Sequence, residues 1–149
     1  YQSMNDFARN VKAGSDDLLV FPFGNGAERM LGNKNIGAKI EGLNFNIHSH
    51  AHLYRAFQEG IAYSFKYGLE TFTENNIHPK VINIPIELYN TDGSVGAARG
   101  ALIGKKMLSF DEAFSTLHCV ECIEPNNELN PVYNDMFNIW KEKLISYSV

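Results

Sequence analysis

A long apolar repeat limits the folds that are open to this chain. Between residues 49 and 76, apolar or small side chains recur at the spacing of one helical face. The members of this stripe are Leu53, Phe57, Gly60 or Ile61, Ser64 or Phe65, Leu69 and Phe72. Ser49 is typical of an N-cap, and Asn75-Asn76 is typical of a helix end. At about 1.5 Å per residue this helix is roughly 40 Å long, enough to cross a whole β-sheet.

The patterns around this helix alternate between strand and helix, which favours one α/β unit. Pro85 argues against a single uninterrupted central strand at that point. A Gly- and Ala-rich helix over 95–107, capped by Ser94, has a nearly bare face that can lie close to another element. The other predicted strands are one within Leu18–Phe23, which leads into a loop at 24–35, and strands over Gly37–Leu43, over 81–89 and, at an edge, over His118–Ile123. The other predicted helices are one over 3–10, a short one with the capping box Ser109–Glu112, and a last one from Asn130. The apolar stripe of the last helix consists of Tyr133, Met136, Phe137, Trp140 and Leu144.

Composition and charge exclude several classes of function. The 149 residues carry a net charge of −4, so no basic surface points to nucleic acid or anionic lipid. No apolar run reaches the length of a membrane span, and we expect neither a signal peptide nor a membrane partner. Two cysteines are too few for a disulfide framework, which indicates a reducing cytoplasm. The length fits one domain over residues 1–149, and the opening at Tyr1 suggests a piece of something longer.

Glycines in the loop after the first predicted strand make that loop a candidate phosphate site. Gly24 and Gly26 would let backbone N–H groups approach an anion, and Arg29 could clamp a phosphate through its guanidinium. The loop lacks the Lys-Ser/Thr of a P-loop, and no helix follows it directly. The residues alone favour the alternative, a surface turn in which Glu28 and Arg29 form an ion pair that fixes the loop.

Two clusters of potential metal ligands have simpler interpretations. His48, His50 and His52 would share one side only in an extended chain, whereas a helix is predicted to begin among them, so solvated or capping histidines are favoured. Cys119 and Cys122 have redox-motif spacing, but no predicted helix N-terminus lowers a thiol pKa there. A zinc site would need a second ligand pair. We expect both to be half-buried strand cysteines.

Five motifs in a fixed order resemble the C-terminal half of the FGGY carbohydrate kinases, most closely those of the xylulokinase type. The motifs are a Gly-Glu-Arg loop at Phe21–Arg29 with Ala27 interposed, a Gly-containing strand at Ala38–Leu43, the helix pattern Arg55-Ala56 with Glu59-Gly60, a Gly-Ala-rich helix over Asp92–Ala101, and Asn130-Pro131 with Tyr133 before the final helix. Each motif is weak by itself. Their common order is the specific part of the resemblance.

This resemblance implies the C-terminal lobe of an actin-like, ribonuclease H-like ATPase, an α/β fold with a mixed sheet and flanking helices. The parent enzyme would transfer the γ-phosphoryl group of ATP to a sugar hydroxyl with Mg²⁺. Its catalytic base and most sugar contacts would belong to an N-terminal lobe, so this chain would hold no catalytic or metal-binding residue and would be inactive alone. The implied nucleotide-side or cleft-edge residues are Gly24, Gly26, Glu28, Arg29, Gly93 and Gly96. The implied partners are the N-terminal lobe, the sugar and ATP. Whether the chain also forms a homodimer is left open.

One segment of the family pattern is missing near residues 82–84. After the strand ending at Ile82 the family has a Gly-rich segment and a helix that cradle adenosine, but here Asn83 leads directly into Ile84–Tyr89. Neighbouring parallel strands need a crossover of about a dozen residues, so Asn83 alone cannot join them. We therefore expect that residues are missing between Ile82 and Ile84 and that the numbering runs on across the gap. An intact mass above 16.8 kDa would support this expectation, and a mass equal to that value would exclude it.

Two functions from different classes follow from this reasoning. The first is a lobe of a sugar kinase that phosphorylates a pentulose or a related sugar or polyol. The second is a non-catalytic interaction or scaffolding domain derived from the same fold. The residues that would choose the sugar lie outside the motifs, so the sequence does not identify it.

Overall fold

The structure, a computed structural model, describes residues 2–74 and 86–148 of the chain. Its helices and strands are α1 (Gln2–Arg9), β1 (Leu19–Phe21), β2 (Lys39–Glu41), α2 (His50–Glu74), β3 (Ile86–Tyr89), α3 (Gly93–Gly104), α4 (Phe110–Phe114), β4 (Cys119–Ile123) and α5 (Asn130–Tyr147). Two short 3₁₀ turns lie at Ser15–Asp17 and Arg29–Leu31. The elements fall into two compact units, a first unit within Tyr1–Val81 and Asn127–Val149 and a second unit within Ile82–Asn126.

The core of the first unit is built by β1 and α5. All three residues of β1 are buried, and the predicted stripe of α5 contributes the buried Met136, Phe137, Trp140 and Leu144. The Trp140 ring stacks on Phe21 with 5.3 Å between centroids, and its indole N–H donates to the carbonyl of Val20 at 2.8 Å. An indole is amphipathic, so this one bond lets the whole ring be buried without an unsatisfied donor. The prediction for α5 is confirmed.

The buried face of α2 agrees only in part with the predicted one. Ala56, Glu59, Gly60 and Tyr63 face the unit's interior, whereas the stripe members Phe57, Ile61 and Phe65 are 42%, 46% and 69% exposed. The small residues are turned inward because β1 passes close to the helix backbone, and bulky side chains do not fit there. The predicted stripe is therefore wrong at Phe57, Ile61 and Phe65. It is confirmed at Leu53, which packs on the core, and at Gly60, which is buried. The helix itself and its start after Ser49 are also confirmed.

The second unit consists of a β3–β4 ribbon with α3 and α4. Two helix starts in it are fixed by side-chain caps. The capping box at Ser109 and Glu112 is confirmed, but α3 is capped by Asp92 rather than by Ser94. Asp92 takes this place because its carboxylate accepts from the N–H of Val95 at 2.9 Å and from the Ser94 hydroxyl at 2.7 Å.

The two cysteines of β4 are exposed, not half-buried as predicted. Every residue of β4 is exposed, because no element in the described part of the second unit covers this strand. The strand itself, at Cys119–Ile123, agrees with the predicted edge strand.

The predicted mixed sheet is not formed by the described residues. They make two separate antiparallel pairs, β1 with β2 and β3 with β4. In each pair the connecting chain reverses direction, which leads to antiparallel pairing. The helix end at 75–76, Pro85 and the expected gap at 82–84 lie outside the described residues. In the parts of the chain that the structure does describe, every helix is too short or too polar to cross a membrane.

Candidate functional site

The loop that follows β1 closes on itself through backbone hydrogen bonds. The N–H of Glu28 donates to the carbonyl of Lys34 at 3.2 Å, and the Glu28 carbonyl accepts from the N–H groups of Leu31 and Asn33 at 3.0 and 2.9 Å. Leu31 is buried in the core, which ties the end of the loop to the first unit. No ion pair joins Glu28 to Arg29 among those in the described residues, so the backbone fixes this loop instead.

The glycine part of the loop offers unused donors at its surface. Within residues 2–74 and 86–148, the N–H groups of Asn25, Gly26 and Ala27 donate to no other group. Gly26 has a φ of 108°, a conformation that side chains rarely adopt, and an added Cβ there would meet no atom within 4 Å. Gly24 and Arg29 are exposed on the same loop. Free amides beside an exposed guanidinium can hold a phosphate group.

Gly93 and Gly96, the other predicted site residues, lie in the first turn of α3 in the second unit. Both have open space where a Cβ would stand. The Asp92 carboxylate already occupies this helix N-terminus, and the Ser94 hydroxyl, followed by the Val95 N–H, holds the pKa of that carboxyl below its usual range. An incoming phosphate would therefore have to displace a fixed negative charge. The structure thus groups four of the six predicted residues in one loop and places two at an N-terminus that is already capped.

A buried carboxylate of the Arg-Ala-x-x-Glu-Gly pattern anchors the turn that precedes β1. Glu59 is 6% exposed and accepts from the N–H of Gly14 at 2.9 Å, the hydroxyl of Ser15 at 2.8 Å and Nε of Arg55 at 2.8 Å. The guanidinium of Arg55 also donates to the Tyr133 hydroxyl. A buried charge must be paired, and Glu59 satisfies this with three donors.

The turn that Glu59 holds has an unusual backbone. Gly14, Ser15, Asp16 and Asp17 have φ values of 88°, 51°, 50° and 67°, so four successive residues are left-handed. For a residue with a side chain this conformation costs about 1–2 kcal/mol. The anchor at Glu59 offsets part of that cost, and it fixes the chain immediately before β1 and the candidate loop.

Gly60, the last residue of the Arg-Ala-x-x-Glu-Gly pattern, lets β1 approach α2. A Cβ on Gly60 would lie 2.3 Å from the carbonyl oxygen of Val20. The pattern therefore has a structural meaning, because it packs the strand that leads into the candidate loop. The sequence pattern did not reveal the anchor, because the predicted apolar stripe of this helix leaves Glu59 outside it.

Two of the three alternating histidines also support this turn. His48 is buried, its Nδ1 accepts from the N–H of Asn44 at 3.0 Å, and its Nε2 donates to the carbonyl of Asp16 at 2.9 Å. His52 accepts from the Ser49 N–H at 3.1 Å, and its Nε2 lies 3.1 Å from the Asp16 carboxylate. Both rings act as hydrogen-bond braces, in line with the capping interpretation. Across the described residues no group of three or more His, Cys, Asp or Glu side chains forms a metal cluster.

An apolar surface lies beside the candidate loop. A groove of about 410 Å³ is lined by Met30, Ser64, Phe65, Gly68 and Leu69, and Met30 belongs to the 3₁₀ turn that ends the loop. The exposed residues of α2 next to it, Phe57, Gln58, Ile61, Ala62 and Phe65, carry no charge. We call these five residues the outer face of α2. Uncharged helix faces of this kind are unusual in contact with water and mark surfaces that bind another element.

Comparison of the whole fold with solved structures finds sugar kinases. The chain superposes on the xylulose kinase from Rhodospirillum rubrum with a TM-score of 0.69 and 21% identity, covering 97% of this chain and 33% of that kinase. A ligand-bound xylulose kinase and a gluconate kinase, both from Lactobacillus acidophilus, give TM-scores of 0.71 and 0.65 with 18% and 17% identity. Each of these two comparisons covers 99% of this chain and 35% of the kinase.

The chain has the fold of a sugar-kinase segment. This confirms the expected resemblance at the level of fold, and the chain spans about a third of the length of the solved kinases it matches. No protein-family model and no curated protein matches the sequence.

Proposed function

We propose that this chain is the C-terminal lobe segment of an ATP-dependent sugar kinase of the xylulokinase type. The observation that carries the proposal is the superposition of 97% of the chain on one third of a xylulose kinase. The reaction would transfer the γ-phosphoryl group of ATP to a hydroxyl of a pentulose or a related sugar or polyol, with Mg²⁺, in the cytoplasm. Phosphoryl transfer depends on positioning the phosphates and neutralising their charge.

In this proposal the Gly24–Arg29 loop faces the phosphates of the nucleotide. The free N–H groups at Asn25, Gly26 and Ala27 would donate to phosphate oxygens, and Arg29 would add a bidentate positive contact. Glu28 would keep the loop closed through its backbone. Gly93 and Gly96 stay candidate cleft-edge residues of the second unit, where the absence of a Cβ leaves open space. The base that accepts the sugar proton would come from an N-terminal lobe, so the isolated chain would be inactive.

The outer face of α2 supports the presence of such a lobe. Phe57, Ile61 and Phe65 lie on this uncharged face, and about two thirds of the solved kinase lies outside the part matched here. We propose that the rest of the kinase covers this face together with the adjoining groove. Burying an apolar surface contributes about 25 cal/mol per Å², so the covered face would hold the two lobes together.

Nucleotide binding can be tested on the chain itself by following backbone amides with NMR during titration with Mg²⁺-ATP. The proposal expects the amides of Asn25, Gly26 and Ala27 to shift, and Arg29→Ala to weaken the effect several-fold. The exposed Arg9 lies on α1, so Arg9→Ala is the matched control for a lost surface charge. Equal shifts in both variants, or shifts only outside the loop, would remove the loop from the proposed site.

Kinase function is tested by supplying the missing lobe. The chain is co-produced with the N-terminal two thirds of the Rhodospirillum rubrum xylulose kinase, and ATP-dependent phosphorylation of xylulose is measured. The proposal expects activity only when both parts are present, and expects Phe65→Glu on the outer face of α2 to abolish their association. A stable, folded pair without activity would instead support the interaction-domain alternative.

A further inference from the structure

The β3–β4 ribbon contains an extra residue that changes which side chains share a face. Tyr89 pairs with Cys119, Leu88 with Glu121, and Glu87 with Cys122. Val120 therefore has no partner on β3 and forms a β-bulge, in which two residues of one strand oppose one residue of the other. The ladder shifts register between Leu88 and Tyr89, which is the position of this bulge.

This bulge brings the two cysteines of the chain to the same face of the ribbon. Residues three apart in a regular strand point to opposite faces, because side chains alternate. Here Cys119 and Cys122 lie opposite Tyr89 and Glu87, which are two apart and so share a face. Both thiols are exposed. The thiol of Cys119 donates to the carbonyl of Glu121 at 3.3 Å, so its sulfur leans along β4 toward Cys122.

The spacing of the two thiols suits a bridging ion better than a disulfide. The partners of the two cysteines, Tyr89 and Glu87, are two positions apart on β3, which corresponds to roughly 6.5 Å at Cα with side chains that project in parallel. A disulfide needs its two Cβ atoms within about 3.5–4.5 Å, which would require the strand to distort. Two thiolates on one tetrahedral cation are roughly 3.8 Å apart at sulfur, with metal–sulfur bonds of about 2.3 Å. Side-chain rotation alone can reach that separation.

Neighbouring carboxylates favour a cation at this face and disfavour a free thiolate. Cys122 donates to the carboxylate of Glu124 at 3.7 Å, and Glu87 lies across the ribbon from it. A redox-active thiol needs the opposite environment, one that stabilises thiolate. A metal ion displaces the thiol protons and is attracted by the same carboxylates.

We propose that Cys119 and Cys122 form a two-thiolate chelating site for a soft d¹⁰ cation such as Zn²⁺ or Cd²⁺. Binding replaces two S–H bonds with two metal–sulfur bonds and releases two protons, without any oxidation or reduction. Soft thiolate ligands select this class of ion. The site shares no residue with those proposed to bind the nucleotide, so it can be tested apart from the proposed kinase function.

The site is tested by titrating the reduced chain with Cd²⁺ and following the ultraviolet thiolate-to-cadmium absorption band. The proposal expects one ion per chain and two protons released per ion in a pH-stat measurement. Cys119→Ser is expected to weaken binding at least about ten-fold, because the second thiolate is then no longer held at a high effective concentration. Binding at two chains per ion, or an unchanged affinity in Cys119→Ser, would overturn the proposal.

The role of the bulge is tested by moving one thiol to the other face. The double variant Glu121→Cys with Cys122→Ser keeps two thiols but places the second opposite Leu88, on the far side of the ribbon. It should lose affinity by about the same factor as Cys119→Ser. Thiol counting with an aromatic disulfide reagent and circular dichroism would show that both thiols are present and the chain is folded. Retained affinity in this variant would show that the bulge does not make the site.

Discussion

The two units of the chain reach their structure by different means. In the first unit Phe21, Phe137 and Trp140 are at most 1% exposed and pack into one aromatic core. In the described part of the second unit only Ala113 is buried, while Met107 and Phe110 are 69% and 67% exposed. One unit is held together by burial and the other by local hydrogen bonds.

Hydrogen bonds in the second unit join segments that are close in sequence or paired in the ribbon. Asn90 donates to the carbonyl of Thr116 at 3.0 Å and accepts from the N–H of His118 at 2.9 Å. Asp92 and Ser109 cap the two helices. Such bonds each contribute only about 0.5–1.5 kcal/mol, whereas burial of one large aromatic side chain contributes more. The first unit is therefore expected to dominate the stability of the chain, and the following substitutions test this contrast.

The largest effect is expected for Trp140→Ala. The change empties the centre of the first core and leaves the carbonyl of Val20 without its indole donor. Substitutions of this kind cost about 3–5 kcal/mol, measurable as a lower free energy of unfolding in urea. Met107→Ala in the second unit is the control, and it should cost less than about 0.5 kcal/mol. Comparable losses in the two variants would show that the units share their stability equally.

Glu59→Ala should have the next largest effect. It leaves Arg55 without its carboxylate and Gly14 and Ser15 without their acceptor, which costs about 2–3 kcal/mol. Its control is Glu70→Ala, which removes a half-exposed carboxylate paired with Lys141 and should cost less than about 1 kcal/mol. Urea unfolding of both variants gives the comparison. If they are equally stable, the buried anchor does not stabilise the left-handed turn.

A pair of glycine substitutions should change stability in opposite directions. Gly60→Ala places a Cβ against the carbonyl of Val20 and should cost about 1–3 kcal/mol. Gly100→Ala in α3 meets no atom within 4 Å and should stabilise that helix by about 0.5–1 kcal/mol. Thermal unfolding monitored by circular dichroism measures both. The same sign in both variants would contradict the difference in packing between α2 and α3.

The smallest effect near neutral pH is expected for Tyr63→Phe. The Tyr63 hydroxyl is buried and has no hydrogen-bond partner within residues 2–74 and 86–148. Its removal should therefore change the unfolding free energy by less than about 1 kcal/mol.

A larger effect of Tyr63→Phe is expected in alkali. Burial raises the pKa of Tyr63, with a smaller contribution from the charge of Glu59. The folded chain therefore keeps this proton more tightly than the unfolded chain. That stabilisation is fully present below the unfolded pKa of about 10 and is lost as the pH rises through the folded pKa. Across this pH range the free energy of unfolding should fall less steeply for Tyr63→Phe than for the unsubstituted chain. An equally steep fall in both would assign the effect to other groups.

Local signals in the sequence predicted many of the elements correctly. The stripe of α5 and the capping box at Ser109 depend on residues within one or two turns, so spacing alone indicates them. The rotation of α2 was not predictable in this way, because it depends on Glu59 meeting Gly14, 45 residues earlier in the chain. The bulge at Val120 likewise depends on how β3 pairs with β4 and not on the composition of either strand.

The candidate site likewise has features that the sequence predicts and features that depend on the fold. Glycines Gly24 and Gly26 could be named from the sequence because their conformational freedom is a property of the residue itself. The sequence does not show which loop amides remain free, because this depends on the backbone hydrogen bonds of the folded loop. It also does not show that the Asp92 carboxylate caps α3, because this depends on the position of the Val95 N–H. The roles of Glu28, Arg29, Gly93 and Gly96 toward a nucleotide stay predictions.

The hydrogen bond between Trp140 and Val20 has a consequence for synthesis on the ribosome. The two residues are 120 positions apart, so β1 emerges long before the helix that completes its core. At about 5–20 residues per second, the apolar strand waits roughly 6–24 s for its partner. During that interval Leu19 and Phe21 are available to chaperones or to other nascent chains, and the yield of folded protein should depend on the speed of translation over this stretch.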